Sequence, residues 1–199
     1  MNEIRYTLNG RETVYDGSAA DRLLEVLRDT YRCTSVKTGC KEGECGACSV
    51  LIGGVLMNSC CVAMGAVQGT DIVTLEGFRE TERFSVLDKA FGELSAVQCG
   101  FCIPGMVLAA EALLSQNPHP TEDEIREGLS GNLCRCTGYN AIIGVVTLAA
   151  KEGNGLWKTV TFPPLCRRPW KSARPARSCP MRAAPISWWK TAKTWITCF

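Results

Sequence analysis

The sequence predicts an α+β fold, with a small sheet-containing domain first and a compact helical domain second. Asn9-Gly10 and Gly53-Gly54 each separate two short strand-like runs, the pattern of a tight hairpin. From Phe84 onward the apolar residues recur at helical spacing instead.

The elements follow in order. Ile4, Tyr6 and Leu8 mark a first strand, and residues 11–15 mark its hairpin partner. Residues 18–30 read as a helix, with Leu23, Val26 and Leu27 on one face and Leu24 widening it. A loop crowded with glycine and cysteine runs over residues 37–48. Residues 49–52 and 55–57 form the second hairpin, and residues 71–75 supply a closing strand. In the second half, Val86, Leu87, Ala90, Phe91 and Leu94 define one helix. Pro104 suits the first turn of the next, because its missing N–H has no partner to lose there. Thr121-Glu122-Asp123-Glu124 is a capping box that opens a short helix to about residue 129. Ile142, Val145, Val146 and Ala149 share a face of the last helix, which Gly153 ends. Four helices in about 70 residues, joined by short loops, predict a compact bundle. The expected domains are residues 1–76 and 83–152.

At 199 residues the chain can bury a real core, so its thirteen cysteines are not needed as staples. The first residues, Met-Asn-Glu-Ile-Arg-Tyr, lack the apolar region of a signal peptide. No apolar run approaches a membrane span. A cytoplasmic, reducing location is expected, where grouped cysteines serve more often as metal ligands than as disulfides. The net charge of +2 hides two regimes: residues 1–157 carry −7, and residues 158–199 carry +9 with no acid at all. That second stretch shows no period, six prolines and four of the five tryptophans. It reads as an unstructured extension or as a stretch translated out of frame after about Trp157. A basic arm for nucleic acid is the weaker reading, and no nucleic-acid partner is expected.

Eight cysteines fall into two groups of four. Cys40, Cys45, Cys48 and Cys60 are spaced C-x4-C-x2-C-x11-C. C-x4-C-x2-C with a distant fourth cysteine is the plant-type ferredoxin spacing, in which four thiolates hold one [2Fe–2S] cluster. Gly39, Gly43 and Gly46 allow a tight loop whose N–H groups approach the sulfurs. Zinc is the alternative, but a four-cysteine zinc site usually pairs two short knuckles, and this group has one C-x2-C. Cys99, Cys102, Cys134 and Cys136 are spaced C-x2-C-x31-C-x-C. Each pair precedes a predicted helix, whose free N–H groups and positive potential favour thiolates. By spacing alone this second group fits zinc equally well.

The run Gly39-Cys40-Lys41-Glu42-Gly43-Glu44-Cys45-Gly46-Ala47-Cys48 resembles the iron–sulfur small subunit of the molybdenum hydroxylases. That family includes xanthine dehydrogenases, aldehyde oxidoreductases, carbon monoxide dehydrogenases and nicotinate dehydrogenases. Gln98-Cys99-Gly100-Phe101-Cys102-Ile103-Pro104-Gly105 and Gly131-Asn132-Leu133-Cys134-Arg135-Cys136-Thr137-Gly138-Tyr139 resemble its second cluster domain. Ile103 stands where the family usually has threonine, at a position that is not a ligand. The resemblance runs from about residue 3 to Trp157. It implies an N-terminal β-grasp plant-type ferredoxin domain followed by a C-terminal four-helix bundle. It also implies one [2Fe–2S] cluster per quartet, with Cys60 as the fourth ligand of the first. Further implied are molybdopterin on a large partner subunit and FAD on a medium one, with Gln98 bonded to the pterin and Cys136 on the path from pterin to cluster.

The expected function is therefore electron transfer within an oxidoreductase complex, most like the bacterial xanthine dehydrogenase type, with no substrate-transforming site in this chain. A free-standing ferredoxin-type carrier and a zinc-bound interaction module are the alternatives. His119, the only histidine, lies between two prolines in an expected surface loop. Cys33 and Cys61 are expected to be packed residues, not ligands, and Cys166, Cys179 and Cys198 belong to the tail.

Overall fold

The first hairpin forms where Asn9-Gly10 places it. Asn9 and Gly10 take φ of 51° and 77°, the left-handed pair that a two-residue turn of this twist requires. β1 (Ile4–Leu8) and β2 (Arg11–Tyr15) pair antiparallel on either side. Gly53 and Gly54 turn the second hairpin, β3 (Ser49–Ile52) with β4 (Val55–Asn58). β5 (Asp71–Val73) lies between β1, to which it is parallel, and β3, to which it is antiparallel. The result is one mixed sheet in the order β2-β1-β5-β3-β4. The computed structural model describes residues 3–153 and 155–157. The expected tail over 158–199, with Cys166, Cys179 and Cys198, lies outside the described residues.

The expected helix over residues 18–30 is shorter and irregular. α1 covers only Leu23–Glu25, and Val26–Thr30 continues it as a π-helical turn. The backbone before it is engaged elsewhere. Arg22 bridges to Ala63, the Leu23 N–H donates to the Val62 carbonyl, and the Met64 N–H donates to the Asp21 carbonyl. The Asp21 carboxylate accepts from the Tyr15 hydroxyl and the Ser18 N–H. These tertiary and local partners replace the helical ones. The expected closing strand over 71–75 stops at Val73, because Thr74 turns to Asn9: its N–H donates to Asn9 Oδ1 at 2.8 Å. A short helix, α2 (Leu75–Phe78), follows.

The four longer helices stand where the periodicity puts them: α3 (Glu82–Glu93), α4 (Ile103–Gln116), α5 (Glu122–Gly128) and α6 (Asn140–Glu152). Thr121 and Glu124 close the capping box, and Gly153 caps α6. Among the described residues the fold is thus a mixed sheet with six α-helices.

β3 explains how the halves join. Val50 is buried in the amino-terminal core with Leu23, Leu27, Met64 and Ile72. Its neighbour Leu51 points to the other face and joins Phe78, Leu87, Met106 and Ile142 in the helical core. One strand therefore serves two cores, each fully buried leucine contributing about 1.5–3 kcal/mol. All described residues fall in one compact unit, Met1–Val160. No helix among the described residues is long and apolar enough to cross a membrane.

Candidate metal centres

The loop before β3 is shaped around sulfur. The backbone N–H groups of Glu42, Glu44 and Cys45 all donate to Cys40 Sγ, at 3.4, 3.3 and 3.4 Å. The Cys40 N–H donates to Cys45 Sγ at 3.4 Å. These donors favour the thiolate: led by the bond from Glu42, they pull the Cys40 thiol down to about 7. Lys41 and Gly43 take left-handed φ to bring the N–H groups inward. A side chain at Gly39 would stand 2.6 Å from Cys45 Sγ, so the loop has room for the sulfur and nothing more. Asn58 pins the loop from β4, its Nδ2 donating to the Gly43 carbonyl at 2.6 Å.

Cys48 and Cys60 complete the first quartet from below. Both are buried, and both the Ser59 N–H and its hydroxyl donate to the Cys48 carbonyl, which ties the two segments together. Burial and the neighbouring Cys48 thiol push the Cys60 thiol up. Cys61 departs from expectation: it is exposed, not packed, and its Sγ lies 3.7 Å from that of Cys60. The cause is the single turn of 3₁₀ helix over Ser59–Cys61, which turns Cys60 inward and its neighbour outward. Cys33 is buried in the amino-terminal core, as expected.

The second quartet gathers at the starts of two helices. Cys102 is the N-cap residue of α4 and is buried. Cys134 and Cys136 precede α6, whose start is set by Gly138 and Tyr139, both at left-handed φ. The Cys134 N–H donates to the Tyr139 hydroxyl at 2.9 Å. Cys134 Sγ accepts from the Thr137 N–H at 3.5 Å and from its hydroxyl at 3.1 Å. Burial works against the Cys134 thiolate, but the bonds from Thr137, together with those from the Cys136 N–H and the Cys102 thiol, outweigh it and bring the thiol to about 7. Cys102, buried and beside Cys134, is pushed up to about 12. Cys99 and Cys136 are exposed, with their sulfurs 3.6 Å apart.

The thiols meet in pairs: Cys40 with Cys45, Cys48 with Cys60, Cys99 with Cys136, and Cys102 with Cys134. Among the described residues, no three His, Cys, Asp or Glu side chains converge so as to hold a single metal ion. Two thiol pairs per site are a donor set that would suit a dinuclear metal group. Gln98 is exposed next to Cys99, and Val97, Phe101 and Leu133 form an exposed apolar rim around the second quartet. His119 is exposed in the loop between α4 and α5.

Several residues at these sites carried no signal of their own in the sequence. Asn132, buried at 2% exposure, donates from Nδ2 to the Gly46 carbonyl at 3.0 Å and to Ser49 Oγ at 3.3 Å. The Leu133 N–H donates to the Cys45 carbonyl at 2.9 Å. Gly46, at φ 65°, and Gly105 let the two loops touch: a side chain on Gly105 would stand 2.8 Å from Asn132 Nδ2.

Two domain families match along the chain. The 2Fe-2S iron-sulfur cluster binding domain matches residues 6–66, and the [2Fe-2S] binding domain matches residues 74–147. Together they define an electron carrier with two iron–sulfur domains. The chain belongs to the iron–sulfur small subunits of the molybdenum hydroxylases. It is 47% identical to the nicotinate dehydrogenase small FeS subunit of Eubacterium barkeri, over 76% of this chain and 98% of that one. It is 42% identical to the xanthine dehydrogenase iron-sulfur-binding subunit of Escherichia coli O157:H7, over 72% and 91%. Among solved structures, quinoline 2-oxidoreductase from Pseudomonas putida 86 superposes with a TM-score of 0.72 at 39% identity, covering 77% of this chain and 96% of that chain.

Proposed function

We propose that each cysteine quartet holds one [2Fe–2S] cluster: Cys40, Cys45, Cys48 and Cys60 the first, Cys99, Cys102, Cys134 and Cys136 the second. The observation that carries this reading is the pairing of the thiols, with N–H and hydroxyl donors aimed at Cys40 and Cys134 in separate loops. Bound there, each cluster supplies one-electron redox chemistry, tuned by those hydrogen bonds and by burial. The chain's own part is to hold sulfur, exclude water from Cys48, Cys60 and Cys102, and dock its partners.

On this reading the chain has an amino-terminal ferredoxin-type β-grasp domain over residues 1–76 and a four-helix cluster domain over 83–152. The exposed edge of the second quartet faces a molybdopterin-bearing large subunit. The apolar rim of Val97, Phe101 and Leu133 suits such a dry contact, with Gln98 toward the pterin and Cys136 nearest to it. Electrons leave by the first quartet toward a flavin subunit or another acceptor. The complex works in the cytoplasm, where cysteines stay out of disulfides, as all ten of the described residues do here.

The substrate is chosen in the large subunit. The resemblance to the bacterial xanthine dehydrogenase type favours purine oxidation. The similarity to a nicotinate dehydrogenase small subunit supports a second, an N-heterocyclic acid.

Purification from the native host with metal analysis tests this. The expected result is a red-brown complex with a large subunit and about four irons per copy of this chain, two for each cluster. A colourless protein carrying zinc contradicts the cluster reading, and a stable lone red-brown protein contradicts the complex.

A further inference from the structure

We infer that Arg28 and Glu76 are positioning residues for the first cysteine quartet: they clamp the neck of its loop, the guanidinium on two carbonyls and the carboxylate on an N–H of the same segment. The inference rests on the ligand reading above. The neck is closed by the Lys37 N–H, which donates to the Ala47 carbonyl at 3.0 Å. Cys40 and Cys45 lie inside the loop so closed, and Cys48 follows it directly. Arg28 Nη1 donates to the Val36 carbonyl and, at 3.3 Å, to the Thr34 carbonyl. Glu76 accepts from the Ser35 N–H at 2.8 Å and from the Ser35 hydroxyl. Thr74, fully buried, steadies the carboxylate with a hydroxyl bond of 2.7 Å.

The two charges act on single peptide groups. The Thr34 carbonyl and the Ser35 N–H are two ends of one peptide, so the cation holds its oxygen and the anion its N–H. The Val36 carbonyl and the Lys37 N–H are likewise two ends of one peptide. Arg28 on that oxygen strengthens the Lys37 N–H as a donor to Ala47, whose carbonyl shares a peptide with the Cys48 nitrogen. Among the described residues neither Arg28 nor Glu76 has an ion-pair partner, so both charges are committed to this segment. Arg28 stands in the π-helical turn over Val26–Thr30, an irregularity that recurs at functional sites. Glu76 comes from α2, whose Phe78 is buried in the helical core. A positive charge near a cluster favours its reduced form, and a negative charge its oxidised form. The two residues therefore act together on the position of the loop and in opposite senses on the potential of the group it holds.

The test uses the assembled complex with its partner subunits. Arg28→Gln and Glu76→Gln each remove one charge. Redox titration followed by EPR gives the potential of each cluster, and hydrogen–deuterium exchange reports on residues 33–48. Both EPR signals should be retained, and exchange over residues 33–48 should quicken in both variants. The first cluster's potential should fall in Arg28→Gln and rise in Glu76→Gln, each by about a tenfold change in its reduced-to-oxidised ratio, about 59 mV for one electron. The second cluster's potential should stay where it was. Shifts of the same sign, no shift, or unchanged exchange overturns the inference. Ser35→Ala, which removes only the hydroxyl bond to Glu76, serves where a charge variant fails to assemble: it should quicken exchange over the same residues, and unchanged exchange overturns the inference. Cys40→Ala separates the two failures: it should abolish the first signal alone, and survival of that signal overturns the ligand reading and this inference with it.

Discussion

The two cysteine quartets reach the same donor set by opposite routes. The first is local: three of its four thiols sit on one ten-residue loop, and the N–H donors to Cys40 come from that same loop. The second is tertiary: its pairs lie 31 residues apart and meet only because α4 and α6 start at the same place. The first has its deeper pair fully buried and its shallower pair half-buried. The second leaves Cys99 and Cys136 open to solvent beneath an apolar rim. A loop can insulate a redox site by itself, whereas helix starts leave one edge open for a partner to close.

The largest effect should come from disturbing the local site sterically. Gly39→Val drives a side chain into Cys45 Sγ, which lies 2.6 Å from where a Cβ would stand. Iron analysis of the complex should show the first cluster lost and the second kept. Retention of both would mean that the first loop yields, and that it is not the tight cradle described.

Next comes the packing that supports the tertiary site. Glu111 of α4 is buried and accepts from Trp157 Nε1 at 2.8 Å and Ser115 Oγ at 2.9 Å, with Arg83 at 2.7 Å. Glu111→Leu strands the buried indole N–H and should cost about 1–3 kcal/mol. Thermal unfolding and amide exchange should show the loss first in α3 and α4. An unchanged melting temperature would mean that this network does not hold the helices.

The smallest effect is a difference in pH dependence between the halves. Burial pushes Glu111 up, and the bonds from Trp157, Arg83 and Ser115 only partly offset it. Its contribution to stability is therefore largest below the unfolded value of about 4.3 and falls as pH rises through the folded value. Burial also works to raise Glu76, but bonds from Ser35 and Thr74 outweigh it and hold the carboxyl below its usual range. Its contribution is present above about 4.3 and is lost as pH falls through the lower folded value. Denaturant melts across pH 3–7 should lose the acid-side slope in Glu76→Gln and the opposite slope in Glu111→Gln. The same curve in both variants would contradict this assignment.

How much was legible in the sequence follows from the same contrast between local and tertiary structure. Both hairpins were readable because Asn9-Gly10 and Gly53-Gly54 act over two residues. The capping box at Thr121 and the stop at Gly153 were readable for the same reason. Residues 18–22 misled because their backbone bonds to residues 62–65, which no local pattern reveals. α2 was missed because four residues give no period, and Phe78 owes its burial to the helical core. Among the site residues, the spacing of the cysteines was plain. The roles of Asn58, Asn132 and Thr137 were not, since a lone amide or hydroxyl shows its partner only once the loops are folded together. Cys61 was misread because adjacent cysteines carry no sign of which one turns inward.

The central claim is that two independent quartets each hold one [2Fe–2S] cluster, and EPR of two single variants tests it most directly. Cys48→Ala and Cys102→Ala, each in the dithionite-reduced complex, should each remove one rhombic signal, a different one in each case, and leave the other unchanged. Loss of both signals together in either variant, or of neither, would contradict the claim.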